Sequence, residues 1–389
     1  MAHTVIDGVT VAAGAGRPLR PNAAVVLDEN GVVIDITDGA PSGDLFLVPA
    51  AVDLHLDNLV QRRNPRATVS LDHDAVLTVL DAECAAAGIA TVCIAARCED
   101  SPRKGIDIAD AAGLADTVER LAPVLCCDWR IHARVELTDD GAVDALQAVL
   151  AASTRVALIS MIETSVERSR FASLAETRRF YAQDWGVSES EVEAVFRVDE
   201  ARLAQVGERR KHVAALAFQH GIPLASHDDR TTAHIEEAFD LGARVAEFPL
   251  TLDAARRARD LGMHVVLGAP NALRGRSTST GNVLAADAVA AGLCDVLCSD
   301  YLPSSLQAAP HALAAAGAAP LETAVDLVSS NPAAVLGMGS VAIEVGRPLT
   351  ASLRIIRPDT AQVGAALWRD GRLVFGRECR AFGLSPVAG

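Results

Sequence analysis

Apolar residues fall along this chain in two rhythms. Residues 1 to about 48 alternate short apolar stretches with turn signals, as in TVIDGVTVAAG, NAAVVLDENGVVIDITDG and DLFLVPA. That period-two pattern is the mark of strands with one buried face. Glu29-Asn30-Gly31 is a hairpin signal between two of them, because Asn-Gly accepts the left-handed backbone of a tight turn. The same rhythm returns in SVAIEVGRP, ASLRIIRP and GAALWRDGRLVFGRECRAFG, with Arg369-Asp370-Gly371 as the turn. Two β-segments around a long middle predict one small β-sandwich domain built from both chain ends, 1–48 with 336–389.

Residues 49–335 change rhythm. Continuous apolar runs occur at 49–54, 89–96, 131–137, 155–162, 222–226, 243–248, 263–268 and 294–299. Ala-, Glu- and Arg-rich stretches of helical spacing separate them, such as DALQAVLAAS and HIEEAFDLG. Strands buried on both faces by helices read in this way. Eight strand–helix units predict a (β/α)8 TIM-type barrel. A doubly wound open sheet is the alternative, but no GxGxxG follows the first strand. The polar, charged stretch 165–215 is expected to be a helical insertion covering the barrel mouth.

Composition supports this picture. Of 389 residues, 50% are apolar and only 4% aromatic, so the core is expected to consist of small and branched side chains. A net charge of −15 argues against nucleic acid or an anionic membrane as partner. No run of about 18 apolar residues is present, so no membrane span is expected. The opening MAHTVIDGVTVAAG lacks the charged and apolar regions of a secretory signal. The eight cysteines include no CxxC pair. They read as buried small hydrophobes in a reducing cytoplasm, with a thiolate metal site as the alternative.

In such barrels chemistry sits at the C-terminal ends of the strands. Most of the apolar runs end in groups that can ligate a metal or move a proton: His55 and Asp57, Glu136, Glu163, His227 with Asp228, Glu247, and Asp300. His55 and Asp57 are two apart, and residues i and i+2 of a strand share a face. Imidazole and carboxylate together suit zinc, with manganese or iron(II) also acceptable. The candidate metal ligands are therefore His55, Asp57, Glu136, His227 and Asp300, for one or two ions. Asp300 and His227 are the candidate catalytic groups, since an ionised Asp beside a metal can accept the proton of its water. Glu163, Glu247, Asp228 and His234 are possible additions. Two alternatives stay open: His55 as a satisfied core histidine above a helix-capping Asp57, and Ser226-His227-Asp228-Asp229 as a helix cap.

Local positive charge runs against the acidic total. Arg62, Arg63 and Arg66 follow Asp57 closely, and NALRGRSTSTGN spans Asn271 to Asn282. Amides, hydroxyls and guanidinium groups hold phosphate oxygens, so Arg66, Arg274, Asn271 and Asn282 are candidate substrate contacts. The loop lacks GKS/T and is not a P-loop.

The motifs VPAAVDLHLDN, AAGIATV, HARVEL, ASHDDRTTAHIEEAFDLGARVAEFPLT, GAPNALRGRSTSTGN, CDVLCSDYLPSSL and SSNPAAVLGM together resemble the amidohydrolase-superfamily diphosphatases of the carbon–phosphorus lyase pathway. The likeness is collinear and covers most of the chain. It implies a small phosphorylated substrate, a ribose 1-alkylphosphonate 5-triphosphate, from which water displaces pyrophosphate. It also implies a homo-oligomer by analogy. The sequence departs from the family pattern at three places. Glu163-Thr164 stands where the family has Asp-His, Thr278 stands in the loop where it has a second histidine, and Ala351-Ser352-Leu353 replaces Ala-Asp-Leu. The same barrel and ligands would serve an amidohydrolase that cleaves a C–N bond by cyclic amide hydrolysis or deamination. The lost histidines leave room for a non-catalytic homologue that binds a phosphonate.

Overall fold

The computed structural model describes residues 3–66, 68–101, 105–165, 168–171, 173–196, 200–277, 281–357 and 361–377. Eight parallel strands form one sheet in chain order: β5 (Ala51–Leu56), β6 (Ile89–Cys98), β7 (Asp128–Glu136), β8 (Val156–Ile162), β9 (Leu224–His227), β10 (Val245–Glu247), β11 (His264–Gly268) and β12 (Val296–Cys298). Each overlaps one of the apolar runs. The sheet curls until its two edges meet, and a parallel bridge joins Leu56 to Asp300 across the seam. There the Asp300 N–H donates to the His55 carbonyl at 2.9 Å, and the Asp57 N–H donates to the Asp300 carbonyl at 2.5 Å. One level lower the buried Asp53 carboxylate accepts from the Ser299 N–H at 3.0 Å and from its hydroxyl. The β/α barrel expected from the strand count is therefore present.

Strand alternation sorts side chains between two apolar layers. On β7, Trp129, Ile131, Ala133 and Val135 join the belt packed under the helices. His132, Arg134 and Glu136 face the opposite way, where they meet Ser160, Asp57 and Thr164. The lower lumen is filled by Val52, Leu54, Leu158, Ala225, Val245, Val266 and Val296. It is a packed core, as small and branched residues allow, and chemistry is left to the upper end.

Three helices lie between β8 and β9: Leu174–Trp185, Glu189–Phe196 and Glu200–His220. The last packs on β8, β9 and the helix Ala142–Ala152 and serves as a wall of the barrel. The seven described cysteines are unpaired, six of them buried, and Cys379 lies outside the described residues. Among the described residues no helix is long and apolar enough to cross a membrane.

Both chain ends build the second unit, from β1 (Thr4–Val11), β2 (Arg20–Leu27), β3 (Val33–Asp38), β4 (Leu45–Pro49), β13 (Ala351–Arg357), β14 (Ala361–Arg369) and β15 (Arg372–Gly376). These seven strands are hydrogen-bonded in one continuous sheet, β15-β14-β13-β4-β1-β2-β3. All pairs are antiparallel except β1 with β4. Arg354 docks this sheet on the barrel, its guanidinium donating to the Ala87 carbonyl at 2.9 Å. Ser352, one of the departures from the family pattern, packs against Gly88 at the same joint. That departure concerns domain contact, not chemistry.

The two turns read from the sequence meet each other. Gly31 and Gly371 have φ of +73° and +80°, and the Gly371 N–H and the Gly31 carbonyl both bond to Leu349. A Cβ on Gly31 would lie 1.9 Å from the Gly371 carbonyl oxygen. Gly31→Ala combines left-handed strain with a backbone clash, so it should lower the unfolding free energy by about 2–4 kcal/mol. Urea denaturation measures this, and a change below about 0.5 kcal/mol would show that the crossed turns do not constrain the fold.

Candidate active site

The upper end of the barrel opens into two adjoining cavities of about 380 Å³ each. His227, Asp228, Arg97, Arg134, Arg170 and Gln61 line both. His55, Asp57, Asp300, Asn271, Arg274 and Asn282 belong to one. Glu136, Glu163, Thr164 and Arg168 belong to the other. Four of the five candidate ligands thus share one cavity, and Glu136 faces its neighbour.

Each cavity histidine is paired with a carboxylate. His55 Nδ1 lies 3.2 Å from Glu247 Oε1, and His227 Nδ1 lies 3.3 Å from Asp228 Oδ2. At His55 the hydrogen bond to the carboxylate orients the imidazole and leaves the other nitrogen to ligate; at His227 the contact is an ion-pair distance without hydrogen-bond geometry. Burial pushes the His55 pKa down to about 4, against the opposing pull of Glu247, so the ring is neutral and ligand-competent at neutral pH. For His227 burial acts in the same direction, but the Asp228 charge outweighs it and the pKa is raised.

Glu247 lies beneath the cavity floor. Besides His55 it accepts from Ser160, which also bonds His132. Burial alone would raise its pKa, yet its contacts and hydrogen bonds with His132 and His55 override this and hold it well below the usual range. Donor atoms of His55, His132 and Glu247 lie within 4.8 Å of one another and could hold an ion themselves. Their mutual hydrogen bonds and Ser160 already satisfy Glu247, however, so we regard the trio as a support for His55.

Asp57 is buried, and Arg97 grips both its oxygens at 3.0 and 2.7 Å while Arg134 donates to Oδ2. Burial would raise its pKa, but the two guanidinium charges hold it well below the usual carboxylate range. Asp300 is different. Among the described residues nothing donates a hydrogen bond to its carboxylate, and burial, then the charge of Asp57, pushes its pKa up to about 6. A half-buried carboxylate without a donor, beside the carboxylate-oriented His55 and beside His227, fits a divalent cation. Asp300, Asp228 and Phe248, which follow or end barrel strands, hold φ of +55°, +58° and +51°. Backbone strain of this kind gathers at functional sites.

Other candidates fall differently. Arg66 is exposed and lines neither cavity, because the chain turns outward at its bridge to Val69; it is not a cavity contact. Asn271 spends its amide on its own loop, donating to the Val283 carbonyl at 3.0 Å and accepting from the Ala285 N–H at 2.9 Å. Asn282 donates to the Arg170 carbonyl at 2.9 Å. Arg274 is exposed at the cavity rim. His234 is half-buried on the helix Thr232–Asp240 and lines neither cavity. That helix is capped by Thr231, not by the 226–229 segment, so the capping alternative for His227 fails. Glu163 is paired with Arg168 and Arg210. Arg97, Arg134, His132, Ser160 and Arg170 were not among the sequence candidates.

No family model matches the chain. The α-D-ribose 1-methylphosphonate 5-triphosphate diphosphatase of Escherichia coli K12 is 32% identical to it over 339 residues, covering 85% of this chain and 88% of that one. The chain belongs to this diphosphatase family. Solved structures share its fold at lower identity. The 5-methylcytosine deaminase of Klebsiella pneumoniae has a TM-score of 0.62 at 15% identity, over 96% of this chain and 98% of that one. A D-hydantoinase scores 0.60 at 12% identity, over 96% and 95%. The N-acetyl-D-glucosamine-6-phosphate deacetylase of Mycobacterium smegmatis scores 0.57 at 16%, over 96% and 100%.

Against the family pattern, Thr164 has a visible use. Its N–H and hydroxyl donate to Glu136 at 3.0 and 2.5 Å, and the Thr138 hydroxyl adds a bond at 2.8 Å. Thr278 lies outside the described residues. Because Glu247 orients His55, Glu247→Gln should weaken divalent-metal binding about 10–100-fold. Titration of metal-free, folded protein with zinc or manganese measures this. Affinity within threefold of the parent would show that Glu247 does not orient a ligand.

Proposed function

We propose that this protein is a metal-dependent diphosphatase that releases pyrophosphate from a ribose 1-alkylphosphonate 5-triphosphate. The observation that carries the proposal is one cavity of an amidohydrolase barrel holding both an imidazole–carboxylate donor set and a group of arginines, in a chain of net charge −15. The activity named for the 32% identical relative supports it.

His55, His227 and Asp300 would hold the ion, with Asp57 beside them engaged by Arg97 and Arg134, and zinc, manganese or iron(II) suits these donors. A divalent ion there supplies positive charge to phosphate oxygens and acidity to water. Asp300, to whose carboxylate no described residue donates a hydrogen bond, would take the proton of the attacking water. The bond broken is the P–O bond between the α-phosphorus and the pyrophosphate, so the sugar keeps a 5-phosphate. Arg134 faces the same space; it is paired with Asp57, but its Nε has no hydrogen-bond partner and would offer an N–H donor to the charge developing on the leaving group. Unpaired buried cysteines suit a reducing cytoplasm.

Metal-loaded protein given ribose 1-methylphosphonate 5-triphosphate should release one pyrophosphate per substrate. A chelator should stop the reaction and added zinc or manganese should restore it. Absence of pyrophosphate from this and from nucleoside triphosphates, with turnover of a cyclic amide or an aminopyrimidine, would transfer the protein to C–N hydrolysis. Asp300→Asn should lower kcat by about two orders of magnitude or more while the melting temperature stays within a few degrees. Turnover near the parent rate would remove Asp300 from proton transfer.

A further inference from the structure

The cavity arginines are not equivalent. Arg97 and Arg134 are neutralised by Asp57, and Arg97 also by Glu99. Arg168 is neutralised by Glu163, Asp229 and Glu237. Arg170 lines both cavities and is partly buried, yet among the described residues it has no carboxylate in ion-pair contact, and its buried Nε has no hydrogen-bond partner. Its charge acts weakly on Asp228, without an ion pair between them.

The surroundings of Arg170 fix it in place. Its guanidinium carbon lies 4.7 Å from the Phe180 ring centre, 5.1 Å from Phe171 and 5.8 Å from Tyr181. Rings of this kind hold a planar cation by its faces and leave its N–H edge free. The backbone is pinned from two neighbouring loops: Asn282 donates to the Arg170 carbonyl at 2.9 Å, and Arg230 donates to the Ser169 carbonyl at 3.2 Å. A positive charge oriented by three rings and two backbone clamps, with no anion of its own, is a preorganised anion site.

We propose that Arg170 is a substrate-binding residue that grips a phosphorus oxyanion, bridging the two cavities and fixing the substrate across them. This deepens the diphosphatase reading and rests on it for the identity of the substrate. The oxyanion can come from the triphosphate end or from the phosphonate end.

The test is binding to metal-loaded protein by calorimetry with two separate probes, inorganic pyrophosphate and methylphosphonate, using the parent, Arg170→Met and Arg170→Lys. Met keeps the apolar stem against the rings without the charge, and Lys keeps the charge. Arg170→Met should weaken one probe at least 30-fold, and Arg170→Lys should recover at least a third of that loss on a logarithmic scale. Loss for pyrophosphate places Arg170 on the triphosphate, and loss for methylphosphonate places it on the phosphonate. With the triphosphate substrate, Arg170→Met should raise KM by a similar factor and change kcat less than threefold. The proposal is overturned if both probes bind Arg170→Met within twofold of the parent, if Met and Lys weaken binding equally, or if the parent binds neither probe. A parent that binds a probe through Arg170 but hydrolyses no triphosphate would sink the diphosphatase reading and leave the anion site standing.

Discussion

The structure depends on one seam. A parallel barrel exists only if its last strand pairs with its first, and here that pairing is made by candidate site residues. The backbone of Asp300 gives its N–H to His55 and takes one from Asp57, so the bonds that close the barrel also set how far apart three candidate ligands stand. Asp53 and Ser299 repeat the closure one level down with a buried carboxylate. A shift of register at this seam would separate His55 and Asp57 from Asp300 and open the barrel in the same movement. Fold stability and site geometry are therefore one constraint. The left-handed backbone at Asp300, Asp228 and Phe248 costs of order 1–3 kcal/mol each. Such strain persists only where the surrounding strands over-determine it.

A second logic is electrostatic. Burying a charge without a partner is prohibitively costly, so the charged groups near the cavity have partners: Glu247 is hydrogen-bonded to His55 and Ser160, Asp228 stands beside His227, and Asp57 is held by two arginines. Among the described residues two partly buried groups of the cavity lack such a partner, the Asp300 carboxylate and the Arg170 guanidinium. They are the places where a cation and an anion from outside would complete the pairing, and both line the same cavity. An acidic chain can in this way accept a polyanion without being basic overall, because only the local imbalance matters at short range.

Much of this was legible from the sequence, and the misses have physical reasons. Runs such as IATVCIAA and MHVVLG marked strands because a strand covered on both faces has to be apolar throughout. His55, Asp57, His227 and Asp300 were legible because parallel strands deliver their last residues to one rim. Arg134 and His132 carried a signal that spacing could have exposed, since each is an even number of residues from Glu136 on β7. Arg66 misled because nearness in sequence to Asp57 says nothing once the chain has turned outward. Arg170 had no local signal. Its aromatic holders come from the next residue and from a helix ten positions further on, and Asn282 comes from a loop more than a hundred residues away, a meeting that only the folded barrel arranges.

Glu136 shows how a departure from the family pattern changes the meaning of a residue that stays. At the end of β7 it has the position of a ligand, and the strand-end argument selects it for that reason. With threonine at 164, both carboxylate oxygens accept hydrogen bonds, from Thr138 and from the N–H and hydroxyl of Thr164. Burial, then the charge of Glu99, raises its pKa. A carboxylate so engaged forms a wall of the adjoining cavity more readily than a ligand. Among the described residues, donors that face a cavity without being fully engaged then gather on the side of His55, His227 and Asp300. What the structure shows at 164 is that engagement: its N–H and hydroxyl are spent on Glu136.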